Sequence, residues 1–225
     1  MRDLQIIDGS SGHQSLVSAD TIVTVNADGT QSAESVRALR THIMARHVSA
    51  GHRALAICST SRGTGCTFVA TNLAVALSQI GVNTLLIDAD LRKPGVARAF
   101  GRQTVKTDLQ TALSTPANFS DCIERNVMPN LSVMFSAGPA RNAQELLASL
   151  RFERLMDFCL REFESTIVDT PPANIYSDVR RISTVVGYSL IVARRNRSHI
   201  DDIKALVEHL NGDHATVIGT VLNDA

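Results

Sequence analysis

From residue 54 onward, short unbroken apolar runs alternate with longer amphipathic segments, and this narrows the possible fold more than any other feature. The runs are Ala54–Cys58, Thr84–Ile87, Ser132–Phe135, Thr166–Val168, Ser189–Val192 and Val217–Leu222. They are continuous rather than alternating in polarity, which is the pattern of strands covered on both faces. Between them, Val69, Leu73, Ala76, Leu77 and Ile80 recur at helical spacing, as do Ile200, Ile203, Leu206, Val207 and Leu210. Strand–helix alternation implies an α/β domain, a mostly parallel sheet flanked by helices on both faces. Ligands of such sheets sit beyond the carboxyl ends of the strands. Upstream, a helix is expected from about Ala33 to His47, with Val36, Leu39, Ile43 and Met44 on one face. Residues 1–32 are polar and rich in Ser, Asp, Gly and Thr. They are expected to form a mobile arm, with one extended piece at Thr21–Val25, leaving residues 33–225 as a single domain.

Composition removes several classes of function. Aromatic residues make up 4% of the chain and Trp is absent, so aliphatic side chains must build the core. Lys and Arg number 22, as do Asp and Glu, so the net charge is zero. A protein that binds nucleic acid mainly through phosphate charge is disfavoured, and no nucleic-acid partner is expected. No apolar stretch is long enough to span a bilayer, and Met1-Arg2-Asp3-Leu4 is not followed by a signal-peptide core. The four cysteines, at 58, 66, 122 and 159, lack paired metal or redox spacing, and the scattered histidines argue against zinc. The expectation is a reduced, cytoplasmic protein whose link to a membrane runs through a partner.

The first strand runs into Ser59-Thr60-Ser61-Arg62-Gly63-Thr64-Gly65-Cys66-Thr67-Phe68, and an amphipathic helix follows at once. Strand, glycine-rich loop and helix is the context of a phosphate loop. Glycines let peptide N–H groups approach phosphate oxygens, and the helix N-terminus adds partial positive charge. Thr67 stands where a hydroxyl would bind Mg²⁺. Two positions break the pattern: Cys66 replaces the lysine, and Thr60 replaces the first glycine. An ordinary strand-to-helix turn explains the loop alone about equally well. Two further strands add weight. One ends Ile87-Asp88-Ala89-Asp90-Leu91-Arg92-Lys93-Pro94, the other Val168-Asp169-Thr170-Pro171-Pro172. Each delivers a carboxylate to the ligand edge. Asp169 suits a metal-holding role, and Asp88 and Asp90 could bind metal or orient an attacking hydroxyl. A single strand-end Asp is more often a helix cap or turn former; three in order are harder to explain that way.

With these residues in hand, the sequence resembles the cytoplasmic kinase domain of bacterial tyrosine kinases from capsule and exopolysaccharide systems. Those are members of the deviant-Walker P-loop superfamily, which also holds the chromosome-partitioning ATPases. The resemblance covers roughly Gln31 to Asn223. It rests on Glu34-Ser-Val-Arg37-Ala-Leu-Arg40, similar to an oligomerisation helix, and on Asp88-Ala-Asp90-Leu-Arg92-Lys-Pro94, similar to the second Walker motif. Ser136-Ala-Gly-Pro139 with Asn142-Ala-Gln-Glu145, Asp169-Thr-Pro-Pro172 followed by Asp178, and Val221-Leu222-Asn223 add to it. The resemblance implies a P-loop NTPase fold and an ATP/ADP site at Arg62, Gly63, Thr64, Gly65, Cys66, Thr67 and Phe68. It implies Mg²⁺ at Thr67, Asp88 and Asp169, and catalytic work at Asp88 and Asp90. It also implies a homo-oligomer joined through Glu34, Arg37 and Arg40, and a membrane chain-length regulator or co-polymerase as partner.

Three departures bear on activity. Cys66 removes a charged hydrogen bond worth about 1.5–3 kcal/mol net, and more where transition-state charge develops. The C-terminal tyrosine cluster is absent, with only Tyr176 and Tyr188 in the chain. Phe68 is bulky where the family has a small hydroxyl residue, and core packing is its expected role. One reading is a kinase-like regulatory subunit with impaired catalysis. Another is an active ATP-dependent tyrosine kinase or ATPase, in which Arg62 or Lys93 replaces the missing charge. A third is a partitioning-type ATPase that uses Arg194, Arg195 and Arg197, with Arg180 and Arg181, on DNA. Cys66 also raises the idea of a redox-sensitive thiol, since a cysteine at a helix N-terminus tends to have a lowered pKa; simple space filling is the preferred reading.

Overall fold

The structure is a computed structural model that describes residues 22–26 and 29–224. The chain enters through α1 (Val23–Asn26) and α2 (Gln31–Arg46), then forms β1 (Ala54–Ser59), α3 (Cys66–Gln79) and β2 (Thr84–Asp88). Next come α4 (Val96–Ala99), α5 (Leu109–Ser114), β3 (Glu124–Met128), β4 (Leu131–Met134), α6 (Ala143–Ala148) and α7 (Leu150–Glu162). It closes with β5 (Ser165–Asp169), α8 (Asp178–Val186), β6 (Tyr188–Arg194), α9 (Ile200–Gly212) and β7 (Thr216–Asn223). The strands form one seven-stranded sheet in the order β3-β4-β2-β5-β1-β6-β7. Every pairing is parallel except β3 with β4. This is the expected α/β architecture of a P-loop NTPase.

The sheet separates two apolar layers. Along β1, Ala54, Ala56 and Cys58 join one core cluster, while Leu55 and Ile57 join the other. Side chains of a strand alternate between faces, so the two clusters cover opposite sides. Residues of α5, α6, α7 and α8 fill the first, and α2 and α3 fill the second. The unbroken apolar runs of β1, β2, β4 and β5 are buried throughout.

Several expectations need correction. β7 is not covered on both faces: among the described residues it pairs only with β6, and each of its residues keeps some exposure. β3 carries Glu124, Arg125 and Asn126 in the open, so no apolar run announces it, as suits an antiparallel edge. The α3 stripe is a fully buried cylinder from Val69 to Ser78, whereas Ile80 falls past the helix end and is 47% exposed. On α9 only Leu206 and Leu210 are buried, and Ile200 is exposed. The expected extended piece at Thr21–Val25 is instead the helical turn α1, with Thr21 outside the described residues. Within the stretch assigned to the arm, Ile22 is fully buried, and the Val23 N–H donates to Asn72 Oδ1 at 2.9 Å. Residues 1–21 of that stretch also lie outside the described residues. The helix expected from Ala33 begins at Gln31, capped by the Thr30 side chain on the Ala33 N–H.

Candidate functional site

Parallel order brings the carboxyl ends of β1, β2 and β5 side by side. The Ser59–Thr67 loop therefore hangs over Asp88 and Asp169, which are register partners. The loop needs left-handed backbone at Gly63 (φ 75°) and Gly65 (φ 92°). It also needs the bare α-carbon of Gly65, because a Cβ there would lie 2.1 Å from Asn223 Nδ2. Asn223 donates to the Thr64 carbonyl at 2.9 Å, and Arg194 Nη1 donates to the Gly63 carbonyl at 2.9 Å. The last two strands thus hold the loop by its carbonyls. The N–H groups of Gly63, Thr64 and Gly65 have no acceptor among the described residues. An anion is what such a row of unmet donors suits.

Cys66 opens α3, but its thiol turns back toward the sheet. It donates to the Ile57 carbonyl at 3.0 Å, with the Thr170 carbonyl at 3.8 Å. Burial, and then the nearby Asp169 carboxylate, push the thiol well above its ordinary value. The expected lowering by the helix N-terminus is reversed, and the thiol is neutral at physiological pH. This agrees with space filling and removes the basis for a reactive thiolate.

The two central carboxyls are fully buried. Asp88 Oδ2 accepts the N–H groups of Gly95 (3.0 Å) and Val96 (2.9 Å), while Oδ1 has no hydrogen-bond partner among the described residues. Neither side-chain oxygen of Asp169 has a hydrogen-bond partner among the described residues. Burial pushes the Asp169 carboxyl up to about 7, against the pull of Thr67 and Cys66 beside it. Asp88 is raised well above its usual range by burial and by Asp169. Buried carboxylate oxygens left unpaired next to a threonine hydroxyl fit a hard divalent cation such as Mg²⁺. Asp90 is less committed. Its Oδ1 accepts the N–H groups of Arg92 (3.1 Å) and Lys93 (2.9 Å), so it shapes its own turn while facing the cavity.

These residues line one cavity of about 280 Å³, which takes in Arg62–Phe68, Asp90, Lys93, Gly95, Arg98 and Thr170. Asp88 and Asp169 do not line it; they lie fully buried next to it, Asp88 accepting the N–H of the lining residue Gly95 and Asp169 preceding the lining residue Thr170. Phe68 also packs against the apolar cluster under α2 and α3, the core role expected of it. Glu34, Arg37 and Arg40 stand apart on α2, where Glu34 pairs with Arg37 within one turn.

The sequence reading missed a constellation at the cavity rim. Arg92 makes a two-pronged pair with the buried Asp178, with Nε to Oδ2 at 2.8 Å and Nη2 to Oδ1 at 3.3 Å. Its guanidinium lies 5.0 Å from the centre of the Tyr176 ring. Tyr176 OH in turn accepts from Arg62 Nη2 at 3.0 Å. Each residue is visible in the sequence, but nothing local joins residues 62, 92 and 176–178. The arginines expected, in the partitioning reading, to form a DNA surface each contact another part of the chain. Arg180 pairs with Asp213, Arg181 with Glu153 and Arg195 with Asp224, while Arg194 and Arg197 lie on the loop.

The chain is similar to known proteins over most of its length. The model of the CobQ/CobB/MinD/ParA nucleotide-binding domain matches residues 55–225. The tyrosine-protein kinase ptk of Acinetobacter johnsonii is 30% identical over 203 residues, covering 90% of this chain and 28% of that one. The chain thus spans little more than a quarter of that relative's length, and 26% of a tyrosine-kinase relative in Ralstonia solanacearum. Among solved structures, the kinase domain of Escherichia coli tyrosine kinase ETK superposes with a TM-score of 0.83 at 27% identity, covering 90% of this chain and 79% of that one.

Proposed function

The chain belongs to the CobQ/CobB/MinD/ParA nucleotide-binding family, with bacterial tyrosine kinases among its relatives, and from that premise we propose a tyrosine-kinase-like P-loop protein of capsule or exopolysaccharide biosynthesis with impaired catalysis. One observation carries the impairment: the Cys66 thiol is neutral and bonded to the Ile57 carbonyl, so the loop offers no cation where its lysine belongs. The nucleotide-binding part of the reading is supported by the unmet N–H groups of Gly63–Gly65 and the unpaired oxygens of Asp88 and Asp169. Thr67, Asp88 and Asp169 would hold Mg²⁺, which would screen phosphate charge when bound. The loop N–H groups orient the anion, and Asp90 faces the cavity where an acceptor hydroxyl would enter.

In this reading the protein works in the cytoplasm at the inner face of the membrane, docked on a polysaccharide chain-length regulator or co-polymerase. It forms a homo-oligomer through Glu34, Arg37 and Arg40. The internal pairing of the arginines favours this over a DNA-associated ATPase. An active kinase is the second reading, favoured by Lys93 and Arg98 in the same cavity. Phosphate release from Mg-ATP separates the two. Impairment predicts a wild-type rate close to that of Asp88→Asn, and a higher rate for Cys66→Lys. A wild-type rate far above Asp88→Asn would instead establish the active kinase or ATPase.

A further inference from the structure

A phosphate chain brings several negative charges to a cavity that Asp90 lines and that Asp88 and Asp169 lie buried beside. The loop lacks its lysine, so any compensating charge has to come from elsewhere on the wall. Most of the nearby cations are engaged. Arg62 donates to Tyr176 OH, Arg92 is held by Asp178, and Arg194 donates to the Gly63 carbonyl. The Arg197 guanidinium packs so closely on Gly63 that a Cβ there would lie 2.9 Å from it.

Lys93 and Arg98 differ. Both are exposed, both line the cavity with Cys66 and Thr67, and neither side chain has a hydrogen bond or an ion pair among the described residues. Their stems leave a fixed piece of backbone. Asp90 accepts the Lys93 N–H, and Asp88 accepts the N–H groups of Gly95 and Val96. Gly95, between them, abuts the loop: a Cβ there would lie 3.1 Å from Thr67 Cγ2. Long cationic side chains thus rise from the β2–α4 segment beside the hydroxyl assigned to the metal. Lysine offers a mobile point charge, and arginine a planar fork suited to phosphate oxygens.

Resting on the reading of this cavity as a nucleotide site, we propose that Lys93 and Arg98 supply, at the terminal phosphate only, part of the charge that Cys66 withholds. They take the far end of the phosphate chain, so the protein selects nucleoside triphosphates over diphosphates. The loop N–H groups cradle one phosphate, and a chain continuing past Thr67 toward Asp90 meets both cations. Arg62 also lines the cavity and keeps its charge, but its guanidinium donates to Tyr176 OH, whereas the Lys93 and Arg98 side chains donate to nothing among the described residues.

Calorimetric titration with Mg-ATP and Mg-ADP, at low and high salt, tests this on wild type, Lys93→Gln, Lys93→Arg, Arg98→Gln and Cys66→Lys. The expected result is tighter binding of ATP than ADP by wild type, on the order of tenfold, the scale of one charged hydrogen bond. Lys93→Gln and Arg98→Gln should each erase most of that preference and flatten its salt dependence, with ADP affinity little changed. Lys93→Arg should retain it. Equal loss for ATP and ADP, or an unchanged preference, overturns the inference while leaving the nucleotide site standing. Binding by Cys66→Lys alone overturns the inference but keeps the impaired-loop reading. No binding by any of these proteins overturns both.

Discussion

At the scale of single residues, the site is organised by what its buried polar atoms lack. Asp88 keeps one oxygen on two peptide N–H groups and leaves the other unpaired beside Asp169. An acceptor buried without a partner costs about 1–3 kcal/mol. The protonation linkage has a definite sign. The folded pKa of Asp88 lies above its ordinary value, so near pH 3 both folded and unfolded chains hold the proton and the site has no pH effect. As pH rises past 4 the unfolded chain ionises first, and stability falls toward the folded pKa. Asp88→Asn, in EDTA, should therefore raise the melting temperature at pH 7, by roughly 1–3 kcal/mol in stability, and change it little near pH 3. A variant less stable than wild type at pH 7 would contradict this electrostatic account. The residue scale is also where sequence reading went furthest. Asp88 and Asp169 are register partners, Thr67 lies beside Asp169, and Thr67 lines one cavity with the loop glycines, as their strand-end positions imply. The direction of the Cys66 thiol was not legible. The helix terminus argues for a lowered pKa, but the rotamer aims the sulfur at carbonyls and a carboxylate.

At the scale of elements, β6 and β7 clamp the phosphate loop. Arg194 and Asn223 hold the carbonyls of Gly63 and Thr64, which leaves the loop N–H groups facing the cavity. Asn223→Ala removes one clasp and leaves the Thr64 carbonyl short of a donor, a loss of about 1 kcal/mol. Amide hydrogen exchange should quicken in residues 63–66 while β1 and β2 stay protected; equal protection in both proteins would remove the clamp. Buried central strands were legible because unbroken apolar runs have few other uses. The edges were not. β3 exposes charge, and β7 reads like a central strand because Val217, Ile218, Val221 and Leu222 are apolar, although it has one neighbour among the described residues. The Arg62–Tyr176–Arg92–Asp178 chain joins segments that only the tertiary fold brings together.

At the scale of the whole molecule, the proposed nucleotide cavity and the proposed assembly surface lie on different elements. Glu34, Arg37 and Arg40 project from α2, whose Ala33, Val36 and Ile43 face the core. Replacing all three polar residues by Ala should lower the mass seen by light scattering without lowering the melting temperature by more than a few degrees. A mass unchanged by the triple substitution would remove α2 from the assembly. The direct test of the central claim is the affinity for Mg-ADP, measured by calorimetry on wild type beside Cys66→Lys. The account predicts that both bind, with the lysine variant tighter by about tenfold or more, as one restored charged hydrogen bond requires. Equal affinities would show that the loop loses nothing with its lysine, and failure of both to bind would show that this cavity is not a nucleotide site.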